Sequence, residues 1–178
     1  LNVVFDNIES DLEVAMAERN IMLSTLVALT LAGPTWAEAP PTMRFLNDAI
    51  QSDIGELKLA QLVQQKAQDP SVRAYAATLS TDYAEAKAKA EALAQKVGLL
   101  PPTQPRPSLQ QEYSRLARLS GQSFDRAFVQ VMIDDHRRSI ASYDEASHVS
   151  RNPEVVYLAR TVLPDLKKHL ELAQLLKR

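Results

Sequence analysis

Residues 124–177 read FDRAFVQVMIDDHRRSIASYDEASHVSRNPEVVYLARTVLPDLKKHLELAQLLK, two amphipathic stretches broken once, between Ser150 and Pro153. In the first, Met132, Ile133 and Ile140 stand one turn from His136, with Val129 and Tyr143 two turns away; in the second, Leu166, Leu172 and Ala173 flank His169, with Val162 and Leu176 beyond. The spacing predicts two long helices folded back as an antiparallel hairpin, each with a histidine in its apolar stripe. Counted from the break, His136 lies about 15 residues before and His169 about 17 after, so at 1.5 Å per residue their heights differ by only about 3 Å. The two imidazoles are expected to meet inside a core.

Upstream, Leu46, Ala49, Ile50, Leu57, Ala60 and Val63 recur at helical spacing over 42–67. Asp69 before Pro70 restarts the chain, because Asp can cap exposed amides and Pro fits the first helical position without losing a hydrogen bond. The second helix carries Val72, Ala76, Leu79, Tyr83, Ala86, Ala90, Leu93 and Val97 on one stripe and ends at Gly98. Pro101, Pro102, Pro105 and Pro107 stiffen the next segment, and Ser108 with Gln111 reads as a capping box opening a short helix that ends near Gly121. Ser123 is the expected cap of the third long helix, 124–148; Asn152 with Pro153 caps the fourth, 153–177, in which Pro164 predicts a kink. Four helices of about 25 residues with two short turns make a four-helix bundle. The connection 98–123 is long enough to run the bundle's length, so a crossover and an up-and-down arrangement are both open.

The composition agrees. The 178 residues hold four glycines, and the stretches between prolines are rich in Ala, Leu, Glu, Gln, Lys and Arg, the residues of a helical protein. Without cysteine there is no disulfide, thiolate metal site, lipid-anchoring cysteine or CxxCH haem attachment. No P-loop, nucleophile elbow or GxGxxG occurs.

The first 39 residues differ from the rest. Met16 to Met22 carries Arg19, Leu23 to Ala32 is a short apolar run, and Gly33 and Pro34 break it before Ala37, Glu38 and Ala39, the layout of a secretory signal peptide. An apolar run near ten residues falls short of the roughly 20 that span a bilayer, so no stable membrane anchor is expected after processing. Residues 1–15, ahead of the first Met, read as an over-long start. Six of the 22 acidic and one of the 20 basic residues fall in 1–39, so residues 40–178 carry +3 where the whole chain carries −2. Neither charge, nor any basic stripe with interleaved aromatics, points to nucleic acid. An extracytoplasmic place, in a bacterial periplasm or envelope, is the expectation, with an envelope protein as candidate partner and the oligomeric state undetermined.

Four segments together resemble the bacterial exported family named domain of unknown function 4142: Glu56-Leu-Lys-Leu-Ala60; Asp69-Pro-Ser-Val-Arg73 leading to Thr81-Asp-Tyr83; Phe124-Asp-Arg-Ala-Phe128 leading to Met132-Ile-Asp-Asp-His136; and Leu163-Pro-Asp-Leu-Lys-Lys-His169-Leu170. The resemblance spans about 43–176. It implies an all-α, ferritin-like four-helix bundle of no established activity, often labelled an outer-membrane protein, with an inward Glu56 and inward histidines on three helices. Tyr83 stands where the family usually has histidine.

Glu56 lies about 13 residues before the first turn and Tyr83 about 14 after it, so both fall at mid-bundle with the two histidines. A central layer of Glu56, Tyr83, His136 and His169 is expected, with Asp165 one turn from His169 and Asp53 one turn from Glu56. Its chemistry fits one transition-metal ion held by Glu56, His136 and His169, with Tyr83, Asp165 and Asp53 around them. A di-iron centre lacks its Glu-x-x-His motifs, since Ile133 and Leu166 stand three before the histidines. Two readings compete: a purely hydrogen-bonded layer, pairing Glu56 with His169 and His136 with Tyr83 or Asp165, and bis-histidine haem ligation, which needs a void for the macrocycle. No catalytic set emerges. Asp134 and Asp135 beside Arg137 and Arg138 read as a wet helix face, as do the lysines at 87, 89, 167 and 168, and His148 as solvated. The expected protein is an exported cell-envelope bundle with a short extra helix in its long connection. A metal-dependent oxidoreductase or stress-protection protein of ferritin-like type, and a purely structural or protein-interaction bundle without ligand, are the alternatives.

Overall fold

The computed structural model describes residues 39–177; the signal-peptide reading of 1–39 therefore falls, Ala39 apart, outside the described residues. The elements are α1 (Pro41–Lys66), α2 (Pro70–Lys96), the short α3 (Pro107–Leu116), α4 (Gly121–Val149) and α5 (Pro153–Leu176). Their apolar stripes are those the periodicity gives: Leu46, Ile50, Ala60 and Val63 of α1, Val72, Ala76 and Leu79 of α2, Phe124, Phe128 and Met132 of α4, and Val162, Leu166 and Ala173 of α5 form one core. Asp69 caps α2 by accepting from the Ser71 amide at 2.7 Å, and Asn152 caps α5 by accepting from the Glu154 and Val155 amides. α5 stays helical through Pro164, whose ring leaves the Arg160 carbonyl without its usual amide donor.

Two caps differ from expectation. Pro107 takes the first position of α3, so Ser108 lies inside the helix, and no side chain caps it. α4 begins three residues before Phe124: Gly121, at φ 60°, turns the chain into the helix, and Ser123 is internal.

α1 packs on α2 and α4 on α5, and contacts of α2 with α5 and of α1 with α4 close the bundle. Phe45, early in α1, meets Tyr143, late in α4, with ring centres 5.0 Å apart. At the other end the Asp125 carboxylate, in the first turn of α4, accepts from the Gln68 and Asp69 amides just beyond α1. Lys96, closing α2, pairs with Glu154, opening α5. So α1 opposes α4, α2 opposes α5, and the consecutive long helices α2 and α4 run parallel. The connection between them must travel the bundle's length, and the ferritin-like crossover is the arrangement adopted.

The crossover lies over α1 and α4, with Leu109 and Leu116 buried and the Arg106 amide donating to Gln51 O at 3.4 Å. α1 is consequently buried all round over residues 52–56, including its polar side. Gly55 permits the approach: a Cβ there would stand 2.5 Å from Leu109 Cδ1 and 2.8 Å from Leu109 Cβ. Alanine for glycine inside a helix ordinarily stabilises by about 0.5–1 kcal/mol. Gly55→Ala is expected instead to destabilise by about 1–3 kcal/mol, with most of that penalty gone in a Leu109→Gly background, which removes Cβ as well as Cδ1, read as a double-mutant cycle in denaturant. Equal penalties in both backgrounds would contradict this packing.

Candidate functional site

His136 and His169 meet as their spacing predicts, with ring centres 5.4 Å apart and planes nearly perpendicular. Both are buried, and the Tyr83 ring lies 6.0 Å from the first and 5.8 Å from the second. Their hydrogen bonds differ. His136 Nδ1 is 2.7 Å from the Met132 carbonyl, which can only accept, so that nitrogen carries the proton. Nε2 is then an acceptor, and the Tyr83 hydroxyl donates to it at 3.1 Å. Burial holds the His136 ring down to about 4, against the pull of the Met132 carbonyl, and the nearby His169 lowers it further. Burial likewise keeps the Tyr83 phenol protonated.

His169 uses one nitrogen. Its Nε2 lies 2.8 Å from Asp82 Oδ2, on the partly exposed side of α2, and its Nδ1 is buried with no partner. In the neutral ring, donation from Nε2 to the carboxylate leaves a bare lone pair on Nδ1. Tyr75 donates to the His169 carbonyl at 3.1 Å and fixes the backbone beneath. A cavity of about 40 Å³ lies beside His169, lined also by Asp82, Tyr83, Asp165 and Leu166. It is large enough for one or a few waters. Ligand pockets are of order 300–1,000 Å³, so it has no room for an organic substrate or a haem macrocycle.

The acidic side of the layer is under the crossover. Glu56 is fully buried beside the Asp135 carboxyl, and neither of its oxygens meets a hydrogen-bond partner. Burial and the neighbouring Asp135 charge push Glu56 up, while Asp135 is held below its ordinary value against its own burial by the adjacent Glu56 carboxyl, Arg106 and Arg138. Of the two, Glu56 is the one that favours its protonated form. Asp135 is 0 % exposed and bonded to the Nη2 atoms of Arg106 and Arg138, with Ser52 Oγ at 3.5 Å. Asp53, also buried, is pushed up by desolvation, and its Oδ2 has no partner.

Glu56, Tyr83, His136, His169 and Asp53 are thus all inside, and the His136 to Tyr83 bond is one the sequence offered. Three placements differ. Asp165 is exposed at the mouth of the cavity, and His169 takes Asp82 as its carboxylate, because the helix rotation turns Asp165 outward. Glu56 lies beside Asp135, and no hydrogen bond joins it to His169. Asp135 is not on a wet face: the crossover covers it and Arg106 reaches down to it. Arg106 and Ser52 do not stand out in the sequence; an arginine among prolines carries no periodic signal, and Asp82, next to inward Tyr83, was the detectable one. Among the described residues, no group of three or more His, Asp and Glu is gathered as a metal-holding set.

The parallel α2 and α4, the long crossover and the buried Glu/His/Tyr layer define a ferritin-like helical-bundle protein. The chain belongs to the family described as Domain of unknown function (DUF4142), whose family model matches residues 30–176. No curated protein matches it. Among solved structures, a DUF305 fragment from Deinococcus radiodurans is similar at TM-score 0.67 and 22 % identity, covering 76 % of this chain and 94 % of the fragment. A DUF305 protein from Streptomyces coelicolor, predicted to be secreted, is similar at TM-score 0.64 and 16 % identity, covering 74 % of this chain and 88 % of its own. At these identities the likeness is one of fold.

The His136 environment gives a pH signature. Between pH 6.5 and about 4 the unfolded ring is protonated and the folded one is not, so wild type loses stability as pH falls through that window. Asp53 and Glu56, both raised, act in the opposite direction, and a comparison with His136→Gln removes their contribution. With chelator present, the stability of wild type minus that of His136→Gln is expected to fall by about 3 kcal/mol from pH 7 to pH 4, measured by denaturant unfolding. A difference that stays flat would mean His136 is not held neutral.

Proposed function

We propose that this protein is an extracytoplasmic helical bundle that holds one transition-metal ion in its central layer, with Glu56, His136 and His169 as ligands. The observation that carries the reading is the buried Nδ1 of His169, which has no partner while its Nε2 is fixed on Asp82. Metal-binding histidines are oriented in this way, one ring N–H on a carboxylate and the other nitrogen presenting its lone pair. Glu56, with no partner on either oxygen, supplies a carboxyl in the same layer that would give up its proton to an ion, and a neutral imidazole with carboxylate suits Zn, Cu, Ni or Fe. The small cavity beside His169 fits an ion with a water rather than a substrate, which favours binding over catalysis. Coordination by His136 Nε2 requires the Tyr83 hydroxyl to leave that nitrogen and stand outside the ligand set.

An extracytoplasmic place is supported by the signal-like layout of residues 1–39 and by the DUF305 relative predicted to be secreted. No helix of the described residues is long and apolar enough to cross a membrane.

A specific observation favours a second reading, a layer that only fixes helix register: His136 has both nitrogens satisfied. Elemental analysis separates the two. Protein purified without chelator, or dialysed against Zn, Cu, Ni, Mn or Fe ions, is expected to hold roughly one ion per chain, lost in a still-folded His136→Ala, His169→Ala variant. Asp82→Ala is expected to weaken uptake by about 10- to 100-fold. Wild type that takes up none of these ions would leave the layer as core architecture.

A further inference from the structure

Tyr83 differs from the other tyrosines in what stands ready to receive its proton. Tyr75 donates to the His169 carbonyl, Tyr143 packs on the Phe45 ring, Tyr113 is partly buried on the crossover and Tyr157 is 72 % exposed. The Tyr83 hydroxyl instead donates to His136 Nε2 at 3.1 Å. That nitrogen offers a lone pair because Nδ1 already gives its proton to the Met132 carbonyl at 2.7 Å, and burial keeps the ring neutral. Both side chains are inside the bundle, so water does not compete for the bond. A buried phenol ordinarily resists one-electron oxidation, since the radical cation is strongly acidic and a core without a base gives its proton nowhere to go. A neutral imidazole already at hydrogen-bond distance removes that obstacle. Asp135, next to His136 in α4, favours a positive charge on the ring, and His169, with its ring centre 5.4 Å away, opposes it. The cavity of about 40 Å³ is lined by Tyr83 and has exposed Asp165 at its mouth, so it brings molecules of a few atoms close to the phenol.

We propose that Tyr83 and His136 form a redox-active pair that takes up one-electron oxidising equivalents from small oxidant radicals of the nitrogen dioxide class. The oxidant removes one electron from the Tyr83 ring and leaves as nitrite. The phenolic O–H bond breaks, its proton passes to His136 Nε2, and a neutral phenoxyl radical faces an imidazolium. A one-electron reductant of the ascorbate class reverses the step, the electron returning to the ring and the proton to the phenol oxygen. The pair stands apart from the metal-binding reading: a Nε2 engaged by an ion cannot accept the proton, so the two uses of His136 exclude each other.

The test exposes the full chain, with chelator, to radiolytically generated nitrogen dioxide and freezes it for high-field electron paramagnetic resonance. Wild type, Tyr83→Phe and His136→Gln are compared, with helicity checked by circular dichroism. The part of the phenoxyl signal that Tyr83→Phe lacks belongs to Tyr83. Wild type is expected to show that part, with the lowered g-value of a phenoxyl oxygen accepting a hydrogen bond, and His136→Gln to lose it by at least about 10-fold. Equal signals from wild type and Tyr83→Phe overturn the proposal, as does a Tyr83 radical undiminished in a folded His136→Gln. Should His136→Gln not fold, the wild-type g-value decides: that of a phenoxyl oxygen without a hydrogen bond overturns the transfer to His136.

Discussion

The ionised carboxylate of Asp135, sealed in the bundle and held by Arg106 from the crossover and Arg138 from its own helix, is the constraint on which the rest depends. A buried charge without partners costs several kcal/mol, so an Asp135 inside the bundle requires a cation brought to it. One of its two cations, Arg106, stands at the start of α3, where its carbonyl accepts from the Gln110 amide at 3.1 Å, and meeting Asp135 ties that point of the crossover to α4. Leu109 then falls on Gly55 and the polar side of α1 is covered, which buries Asp53 and Glu56. Asp125 does a related task at the far end, where its carboxylate ties the first turn of α4 to the turn after α1.

Much of this was legible in residue order. Helical periodicity placed all four long helices, and Asp69-Pro70 and Asn152-Pro153 placed two starts, because capping chemistry is local. The meeting of His136 with His169 was also readable, since a short turn between two regular helices converts sequence distance into height. The unreadable part came from the crossover. Asp135 beside Asp134, Arg137 and Arg138 has the pattern of a solvated face, and nothing in the helix itself reports that another segment covers it. Arg106 gives no periodic signal, and the choice of Asp82 over Asp165 for His169 turns on a helix rotation that spacing alone does not resolve. The direction of the connection, open in the sequence, is decided by contacts between residues more than 50 apart, such as Asp125 with Gln68.

The layer is asymmetric, and the asymmetry is its chemistry. On the α4 side His136 is satisfied on both nitrogens and held neutral, while on the α5 side His169 is half satisfied, beside a cavity and an exposed carboxylate. The acids divide in the same way: Asp135 is held low and paired with two arginines, while Glu56 is pushed up and both of its oxygens lack a partner.

The central claim is that the Arg106 to Asp135 pair ties the crossover to the bundle, and its most direct test is a double-mutant cycle on unfolding free energy. Wild type, Arg106→Gln, Asp135→Asn and the double variant, at neutral pH with chelator, are expected to give a coupling energy above about 1.5 kcal/mol, the range of buried groups that share one network. A coupling within about 0.5 kcal/mol of zero, the additivity expected of independent sites, would contradict it.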